Sequence, residues 1–211
     1  MLSTQSSRAV KLANKASSAR LADCLSSSYD FPSRPPCRLQ VMHNNDLKKT
    51  HRDAIWDIFE LNMRSLYEDS SFGWDPQSKR KELFHALSRY LLVSEGGSTE
   101  LLAFVHFRFE VEEDENVLYC YDIQIKPSAQ GLGLGRILLD ELAKLGSIFR
   151  MEKILLTVLK KNMRAIKFYE AVGFSVDPTS PGYLESDEEL SPENAEADYE
   201  ILSKQIMSDV E

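Results

Sequence analysis

Apolar residues along the chain recur at two spacings, and the change between them separates helical from extended segments. Over residues 50–67 the apolar positions lie three or four apart, which predicts an amphipathic helix. A second helix is predicted over 76–88, where a proline opens the first turn. Short apolar runs at 90–94, 101–111 and 117–125 are separated by turns and predict strands that form an antiparallel meander.

The later part of the chain alternates helices with strands. A helix is predicted over 135–149, an apolar strand over 153–159, and a helix over 162–171 that Gly173 ends. Strands that begin at 174 and cover 199–206 follow, and a short strand over 38–43 precedes the first helix. Together these elements predict a mixed α/β domain.

Composition narrows the classes of function. The 211 residues suit one domain, and a hydrophobic fraction of 43% is enough for a core. A net charge of -8 is against general nucleic-acid binding, although an acidic protein can still bind a basic tail. The three cysteines have no metal-ligand spacing, and no apolar run approaches the roughly 20 residues of a membrane helix. We expect a monomer that binds no metal, membrane or nucleic acid directly.

Two segments differ in composition from the rest. Residues 1–22 carry four basic residues, many serines and no acid, as do mitochondrial presequences and basic extensions that are loose or pack as a helix. We expect an extension, and a protein of the cytoplasm and nucleus. The Ser- and Pro-rich residues 24–37 predict a linker or an extended lead-in, so the domain is assigned to 38–211. The acidic stretch 182–197 predicts a mobile insertion.

A glycine-rich loop between a predicted strand and a predicted helix gives the clearest chemical signal. Gly131, Gly133 and Gly135 alternate with other residues, so the backbone can take positive φ and approach a ligand closely. The loop's amide groups and the start of the helix attract an anion. The ending of a P-loop is absent, and the glycine spacing is not that of a dinucleotide fingerprint. The loop therefore predicts a pyrophosphate site, the alternative being a turn that binds nothing.

The pattern Gln130-x-x-Gly133-x-Gly135 resembles the signature of the Gcn5-related N-acetyltransferase (GNAT) family. An asparagine that opens the later helix, followed by Phe168, Tyr169 and a Gly-Phe pair, is similar to that family too. The resemblance implies a central, largely antiparallel twisted sheet flanked by helices, and acetyl-CoA as co-substrate without a metal. It implies that acetyl-CoA is bound by Ile123, Gln124, Ile125, Gln130, Gly131, Leu132, Gly133, Leu134, Gly135, Arg136 and Asn162.

Within that family the chain is most similar to the NatD-type N-alpha-acetyltransferases, in segments 63–74, 107–112, 117–124 and 199–203. Those enzymes acetylate the α-amine of histones two-A and four, which start Ser-Gly-Arg-Gly. The resemblance implies the same reaction here, with histone N-terminal peptides as partners. It implies that the peptide is contacted by Tyr67, Phe72, Glu110, Val111, Glu112, Tyr119, Tyr121, Thr157, Thr179 and Tyr199.

Strand alternation gives several of these residues an independent rationale. Glu110 and Glu112 share one face, where two carboxylates can bind a guanidinium in the bidentate manner that arginine favours. Tyr119 and Tyr121 also share a face, and tyrosines there can enclose a small N-terminal serine. The alternatives are a solvated strand edge for the two acids and core packing for the tyrosines.

The resemblance also implies the catalytic residues Asp122, Tyr67, Tyr121 and Tyr169. Asp122 stands where the family normally has Glu, and it would take a proton from the amine directly or through water. Alternation puts Asp122 on the face opposite Tyr121, so both reach one site only if the strand bulges. The alternative for Asp122 is a structural hydrogen-bond acceptor. A backbone amide near Ile123 would hold the oxyanion.

Two neighbouring side chains complete the sequence-based mechanism. Tyr169 would protonate the departing thiolate. Cys120 lies in mid-strand with no histidine near it in the sequence, and we expect a buried apolar residue rather than a nucleophile. Two other functions fit the same residues: acetyl transfer to lysine side chains or a small polyamine, and a catalytically weak acyl-CoA-binding or chromatin-binding module.

Overall fold

The computed structural model of the protein describes residues 7–31, 34–181, 183 and 197–207. Among these residues, one sheet of eight strands is flanked by six α-helices, which confirms the predicted mixed α/β class. The helices are α1 (Arg8–Lys15), α2 (Ser18–Ala22), α3 (Lys49–Glu68), α4 (Pro76–Leu83), α5 (Leu134–Ile148) and α6 (Met163–Ala171). The strands are β1 (Ser28–Phe31), β2 (Arg34–His43), β3 (Arg89–Glu95), β4 (Leu101–Glu112), β5 (Glu115–Ile125), β6 (Lys153–Leu159), β7 (Ser175–Val176) and β8 (Tyr199–Gln205).

The sheet has the strand order β1-β2-β3-β4-β5-β6-β8-β7. Its neighbours pair antiparallel except β5 and β6, which are parallel. A parallel pair needs a crossover connection, and α5 supplies it. The start of α5, where the glycine loop lies, is therefore held beside the end of β5.

The two faces of β4 explain why its sequence is apolar over most of its length. Phe107 and Phe109 pack into the cluster that includes residues of α1 and α5, whereas Phe104 packs into the cluster built on α3. A strand covered on both faces shows a near-continuous apolar run. The polar exceptions on the α3 face are His106 and Arg108, and both are buried.

The helix predicted over 76–88 is shorter, because α4 ends at Leu83. The sheet side chains Tyr90 and Arg108 donate hydrogen bonds to the carbonyls of Leu83 and Glu82. Those carbonyls belong to the last turn of α4, where intrahelical partners run out. Sheet side chains therefore cap the helix, and the turn that follows delivers Ser88 to the interior, where it is fully buried.

The N-terminal region corrects the prediction of a linker over 24–37. Residues 28–31 form β1, which pairs with β2, and β2 already begins at residue 34, so the predicted domain boundary at 38 falls inside a strand. Of the alternatives for the basic segment, the structure shows packed helices: Val10, Ala13 and Leu21 are buried. Asn14 also receives a bond from Arg89 and donates one to the carbonyl of Phe109.

The predicted acidic insertion at 182–197 lies, apart from Tyr183 and Ala197, outside the described residues. In the part of the chain that is described, no helix combines the length and the apolar character that crossing a bilayer requires.

Candidate active site

The site lies where two neighbouring strands part. β5 and β6 pair only from Val117 to Tyr119, opposite Lys153–Leu155, although both strands continue beyond that point. The gap opens between residues 119–125 on one side and 157–162 on the other. It contains two adjoining cavities of about 380 and 510 Å³, sizes in the range of small-molecule sites.

A bulge in β5 brings Asp122 to the same side as the tyrosines. His106 pairs with Asp122 and its neighbour Phe107 pairs with Cys120, so Tyr121 is an extra residue in β5. An extra residue shifts the alternation by one position. Tyr121 and Asp122 consequently both line the smaller cavity, while Cys120 stays in the opposite core cluster. The condition set by the sequence, that both reach one site only through a bulge, is met.

The larger cavity, here called the donor cleft, is built around the glycine loop. Gly131 and Gly133 have φ of 80° and 81°, in the region that side chains disfavour, and Gly133 is the N-cap of α5. The first turn of a helix leaves backbone N–H groups without intrahelical partners, and here they border the cleft. The loop can therefore present N–H groups and the positive end of a helix to a phosphate.

The other walls of the donor cleft come from β5 and α6. A Cβ on Gly135 would meet the Phe168 ring at 2.8 Å, so glycine here lets α5 pack against α6. Asn162 caps α6 by accepting from the amide of Ala165 at 3.2 Å. The predicted cofactor residues that line the cleft are Ile123, Gln124, Ile125, Gln130, Gly131, Gly133, Leu134, Gly135, Arg136 and Asn162. Leu132, the remaining one, packs against the core instead.

The smaller cavity, here called the acceptor cavity, has an aromatic wall. The predicted peptide residues that line this cavity are Tyr67, Phe72, Tyr119, Tyr121, Thr157 and Tyr199. The Tyr119 and Tyr121 rings lie 4.6 Å apart, and the Tyr119 hydroxyl is 2.7 Å from the Thr157 hydroxyl. The wall thus combines apolar ring faces with hydroxyl tips.

A loop tied to β8 closes one side of the acceptor cavity. The backbone amide and the hydroxyl of Ser71 donate to the Asp198 carboxylate at 2.7 and 2.6 Å. The next residue, Phe72, lies 5.2 Å from the Tyr199 ring and 6.3 Å from the Tyr67 ring. This contact between Ser71 and Asp198, the loop clamp, positions Phe72 across the mouth of the cavity.

The two cavities meet at shared walls. The residues common to both are Met63, Ile123, Gln124, Asn162, Ala165 and Tyr169. Asp122 stands beside this junction, and its Oδ1 accepts from the Gln124 amide at 3.2 Å. Asn62 of α3 in turn donates to Gln124 Oε1 at 3.0 Å. A carboxylate is therefore held by a network where a reactant from each cavity would meet.

Burial sets the protonation of two groups beside Asp122. Burial raises the pKa of the Cys120 thiol, so the thiol stays protonated at neutral pH. This agrees with the expectation that Cys120 is no nucleophile. Burial also raises the pKa of Tyr169 well above its usual value. The hydroxyl of Tyr169 therefore keeps its proton at neutral pH.

Four predicted peptide residues lie outside the walls of both cavities. Glu110, Val111 and Glu112 lie further along β4, and Tyr121 donates its hydroxyl to Glu110 Oε2 at 3.0 Å. Burial raises the pKa of Glu112, and the nearby Glu110 raises it further. Glu110 and Glu112 thus form a negative patch next to the aromatic wall, which Glu110 contacts through Tyr121. Thr179 belongs to a turn, where its amide and hydroxyl donate to Asp177.

Several residues of the site were missed in the sequence. Lys79 and Glu82 of α4 line the acceptor cavity, and the Lys79 ammonium sits 4.1 Å from the centre of the Tyr67 ring. Met63 of α3 lines both cavities. Nothing in the α4 sequence points to a site. His106, which faces Asp122, carried a usable signal, because a histidine inside an apolar strand is a buried polar group that needs a partner.

In the described part of the chain, no group of three or more His, Cys, Asp or Glu side chains is arranged to hold a metal ion.

Comparisons with known proteins agree with this geometry. The sequence model of the acetyltransferase (GNAT) family matches residues 55–174, more than half of the chain. Among solved structures, the ribosomal-protein-S18-alanine N-acetyltransferase from Escherichia coli is 21% identical, with a TM-score of 0.52 over 82% of this chain and 97% of that chain. Arabidopsis thaliana Naa50 in complex with the bisubstrate analogue CoA-Ac-MVNAL is 16% identical, with a TM-score of 0.51 over 79% and 97%.

An acetyltransferase from Streptococcus agalactiae 2603 is 14% identical and has a TM-score of 0.58 over 79% of this chain and 98% of that chain. At these identities the structural likenesses show the fold, and the match to the family's sequence model shows the membership. This chain belongs to the acetyltransferase (GNAT) family.

Proposed function

We propose that this protein is a NatD-type N-alpha-acetyltransferase that moves the acetyl group of acetyl-CoA to the N-terminal serine amine of histones two-A and four. The observation that carries the proposal is the bulge at Tyr121, which places Asp122 beside the aromatic wall and at the junction of the two cavities. The negative patch of Glu110 and Glu112 next to that wall is what favours a peptide with an arginine near its N-terminus.

The donor cleft fits acetyl-CoA. Its glycine loop and the start of α5 offer N–H groups to a pyrophosphate, and the cleft runs from there to Tyr169 at the junction. When bound, acetyl-CoA supplies an activated acetyl group as a thioester. Tyr169, which keeps its proton, can donate a hydrogen bond to the sulfur that leaves. The amide of Ile123 at the junction is the candidate donor to the oxyanion.

Asp122 supplies the base that an amine acceptor requires. An α-amine has a pKa of about 8, so much of it is protonated at neutral pH and cannot attack. Asp122 lines the acceptor cavity and can accept this proton directly or through one water. Aspartate is shorter than the glutamate usual in the family, and the bulge turns it toward the cavity, which offsets part of that difference.

The negative patch supports selection of arginine at the third position of the substrate. Glu112 has a raised pKa because it is partly buried and lies close to Glu110. A guanidinium would relieve that repulsion and bond both carboxylates, as arginine's planar donors allow. The internal cation Arg108 comes within 3.9 Å of Glu110, so the patch is partly balanced on its inner side and open on the outer one.

A peptide assay tests the proposal. Purified protein with acetyl-CoA should acetylate a Ser-Gly-Arg-Gly peptide at its α-amine, as located by tandem mass spectrometry. A longer peptide that starts Ser-Gly-Arg-Gly, contains lysines and has its α-amine blocked should stay unmodified. Equal modification of the blocked peptide would mean that lysine side chains are the acceptors. Binding of acetyl-CoA without transfer to any peptide would identify a binding module instead.

The arginine-binding role of the patch has its own test. Changing Glu110 and Glu112 together to Ala should raise KM for Ser-Gly-Arg-Gly by about 10- to 100-fold and leave KM for acetyl-CoA unchanged, because bonds to a charged group are lost. The double variant Asp53→Ala/Asp57→Ala removes the same charge from α3, away from both cavities, and should leave both constants unchanged. With a Ser-Gly-Lys-Gly peptide, wild type and the Glu110/Glu112 variant should have similar KM values.

A further inference from the structure

A chain of buried polar side chains lies directly behind Asp122. The Arg108 Nε donates to the Ser88 hydroxyl at 3.2 Å, and that hydroxyl is 2.7 Å from Nε2 of His106. The other ring nitrogen, Nδ1, faces Asp122 Oδ2 at 3.6 Å. His106 and Ser88 are fully buried, and Arg108 and Asp122 are nearly so. Four polar groups thus run in a line from the interior to the acceptor cavity.

The donors and acceptors in this line fix its direction. Arginine can only donate, so the Ser88 oxygen accepts from Arg108, and its own proton is available to Nε2 of His106. At the other end, an ionised carboxylate can only accept, so a bond between Asp122 and the ring needs the proton on Nδ1. The Ser88 end is compatible with that same neutral tautomer. Burial lowers the pKa of His106, which agrees with a neutral ring.

Aromatic packing prevents the His106 ring from turning away. The ring is stacked between Tyr90, 5.5 Å away with an interplanar angle of 21°, and Tyr121, 5.0 Å away with an angle of 26°. Tyr121 is the bulge residue itself. On its other side the Arg108 guanidinium lies 4.1 Å from the Tyr121 ring centre. The bulge residue Tyr121 therefore contacts both His106 and Arg108 of the polar line.

Nδ1 is a buried polar atom with no partner inside hydrogen-bond length. An unpaired buried donor is destabilising, so such atoms in a working site call for an explanation. The nearest acceptor is the Asp122 carboxylate, just outside hydrogen-bond length. Catalytic hydrogen bonds are often long before substrate binds and shorten in the complex. A charged amine that draws Asp122 into line would complete this bond.

We propose that His106 is the positioning residue for Asp122: its Nδ1–H holds the carboxylate toward the acceptor amine, and Ser88 and Arg108 fix the tautomer that makes this possible. The proposal rests on the proposed role of Asp122 as base. No proton leaves the histidine in this scheme. The amine proton moves to Asp122, while His106 stays neutral and donates its hydrogen bond to Asp122 in the substrate complex.

The charged and titratable groups that face this pair come from several elements. Those that act on His106 or Asp122 are Tyr67 of α3, Glu82 of α4, His85 of the turn after α4, Tyr90 of β3, Arg108 of β4, Cys120 and Tyr121 of β5, and Tyr169 of α6. Tyr67, Tyr90, Cys120 and Tyr169 have a raised pKa and are neutral near pH 7. Of the groups with a shifted pKa, those that can change charge near Asp122 on acidification are thus Glu82 and His106.

A pair of variants separates the two ends of the ring. In H106N the side-chain amide occupies the place of Nδ1 and can still donate to Asp122. In H106Q the amide reaches the place of Nε2 and keeps only the bond to Ser88. We expect H106Q to lose about 10- to 100-fold in kcat with KM unchanged, since a bond to a charged group is lost, whereas H106N recovers most of it. The acidic limb of the kcat–pH profile should move to higher pH in H106Q alone.

A stability control and a spectroscopic measurement keep the test decisive. F109L changes a buried aromatic residue on the opposite face of β4, so it should lower Tm at least as much as H106Q without moving the pH profile. Nitrogen-15 NMR of the His106 ring at neutral pH should show a protonated Nδ1 and a bare Nε2. Equal losses in both variants with unmoved profiles, or a ring protonated at Nε2, would overturn the proposal.

Failure of the proposed function looks different. In that case wild type transfers nothing to Ser-Gly-Arg-Gly, yet the NMR measurement still decides whether His106 donates to Asp122. D122N serves as its reference, because an amide in place of the carboxylate should shift the Nδ1 signal if the two groups are bonded. An unchanged signal in D122N would refute the contact whatever the protein acetylates.

Discussion

The donor cleft and the acceptor cavity share six residues, but the chain builds them in different ways. The donor cleft is built around one contiguous stretch, the end of β5 with the glycine loop and the start of α5, and is closed by α6 and α3. The acceptor cavity draws on α3, α4, β5, β6, β8 and the loop that carries Phe72. Local backbone geometry makes the first site, and long-range packing makes the second.

This difference tells us what kind of change each site tolerates. The donor cleft depends on φ angles near +80° at Gly131 and Gly133. A residue with a Cβ is strained at such angles, even when the rest of the fold is unchanged. The acceptor cavity depends on the side chains that the bulge at Tyr121 exposes, and on a clamp between distant segments. Its variants should alter chemistry or peptide affinity, while donor-cleft variants should alter acetyl-CoA affinity.

The largest expected effect separates chemistry from binding. D122N keeps the shape of the side chain and removes the base, so we expect kcat for Ser-Gly-Arg-Gly to fall by about 10²- to 10⁴-fold. KM for acetyl-CoA should not change, because Asp122 lines the acceptor cavity and not the donor cleft. Steady-state kinetics with both substrates varied measures this.

The same variant has a pH signature. Without a base, only the deprotonated amine reacts, and its fraction grows as the pH rises through about 8. The activity of D122N should therefore increase toward alkaline pH, and the gap to wild type should narrow. A gap of constant size across that range would instead mean that Asp122 is a structural hydrogen-bond acceptor.

A substitution in the glycine loop should have the opposite kinetic profile. G133A forces a non-glycine residue to a φ of 81°, which costs about 1–2 kcal/mol and displaces the start of α5. We expect KM for acetyl-CoA to rise by about tenfold, the equivalent of that energy, with KM for the peptide unchanged. Isothermal titration with CoA gives the same information without turnover.

A matched control exists at the turn between β3 and β4. Gly97 has the same φ of 81° and, like Gly133, has open space where a Cβ would stand. G97A should lower Tm about as much as G133A and leave both KM values unchanged. If G97A raised KM for acetyl-CoA as well, general destabilisation rather than the local loop geometry would be the cause.

The contrast between local geometry and long-range packing also explains which features could be predicted from the sequence. β6 was predicted with its observed bounds, and α3, α5 and α6 within one residue, because their apolar periodicity and end signals are local. Ten of the eleven predicted cofactor residues line the donor cleft for the same reason. Leu132 does not line the cleft, because its side chain packs against the core, which a motif does not encode.

The features that the sequence missed depend on distant partners. The bulge at Tyr121 was only a condition for Tyr121 and Asp122 to share a site, and not a prediction. It depends on the register of β4 against β5. The early end of α4 depends on Tyr90 and Arg108 from the sheet. The turn that contains Thr179, a predicted peptide residue, is organised by Asp177, which pairs with buried Lys153. Strand alternation alone could place none of these.

The smallest expected effect concerns the loop clamp of the acceptor cavity. S71A removes the hydroxyl bond to Asp198 but keeps the backbone one, at an exposed site where one bond contributes about 0.5–1 kcal/mol. We expect KM for the peptide to rise about two- to fivefold, because Phe72 is held less firmly against Tyr199. S70A is the matched control, since that hydroxyl bonds the carbonyl of Tyr67 and does not reach β8.

The clamp should also weaken at low pH. The bonds from the hydroxyl and amide of Ser71 lower the pKa of Asp198 below its usual 3.8. The stability that they add is thus fully present above that value and is lost as the pH falls through the lowered pKa of the folded state. The difference in Tm between wild type and S71A should be constant near neutral pH and shrink below about 3.8. Differential scanning calorimetry across that range measures it, and a difference that grows on acidification would contradict a clamp that depends on the ionised carboxylate.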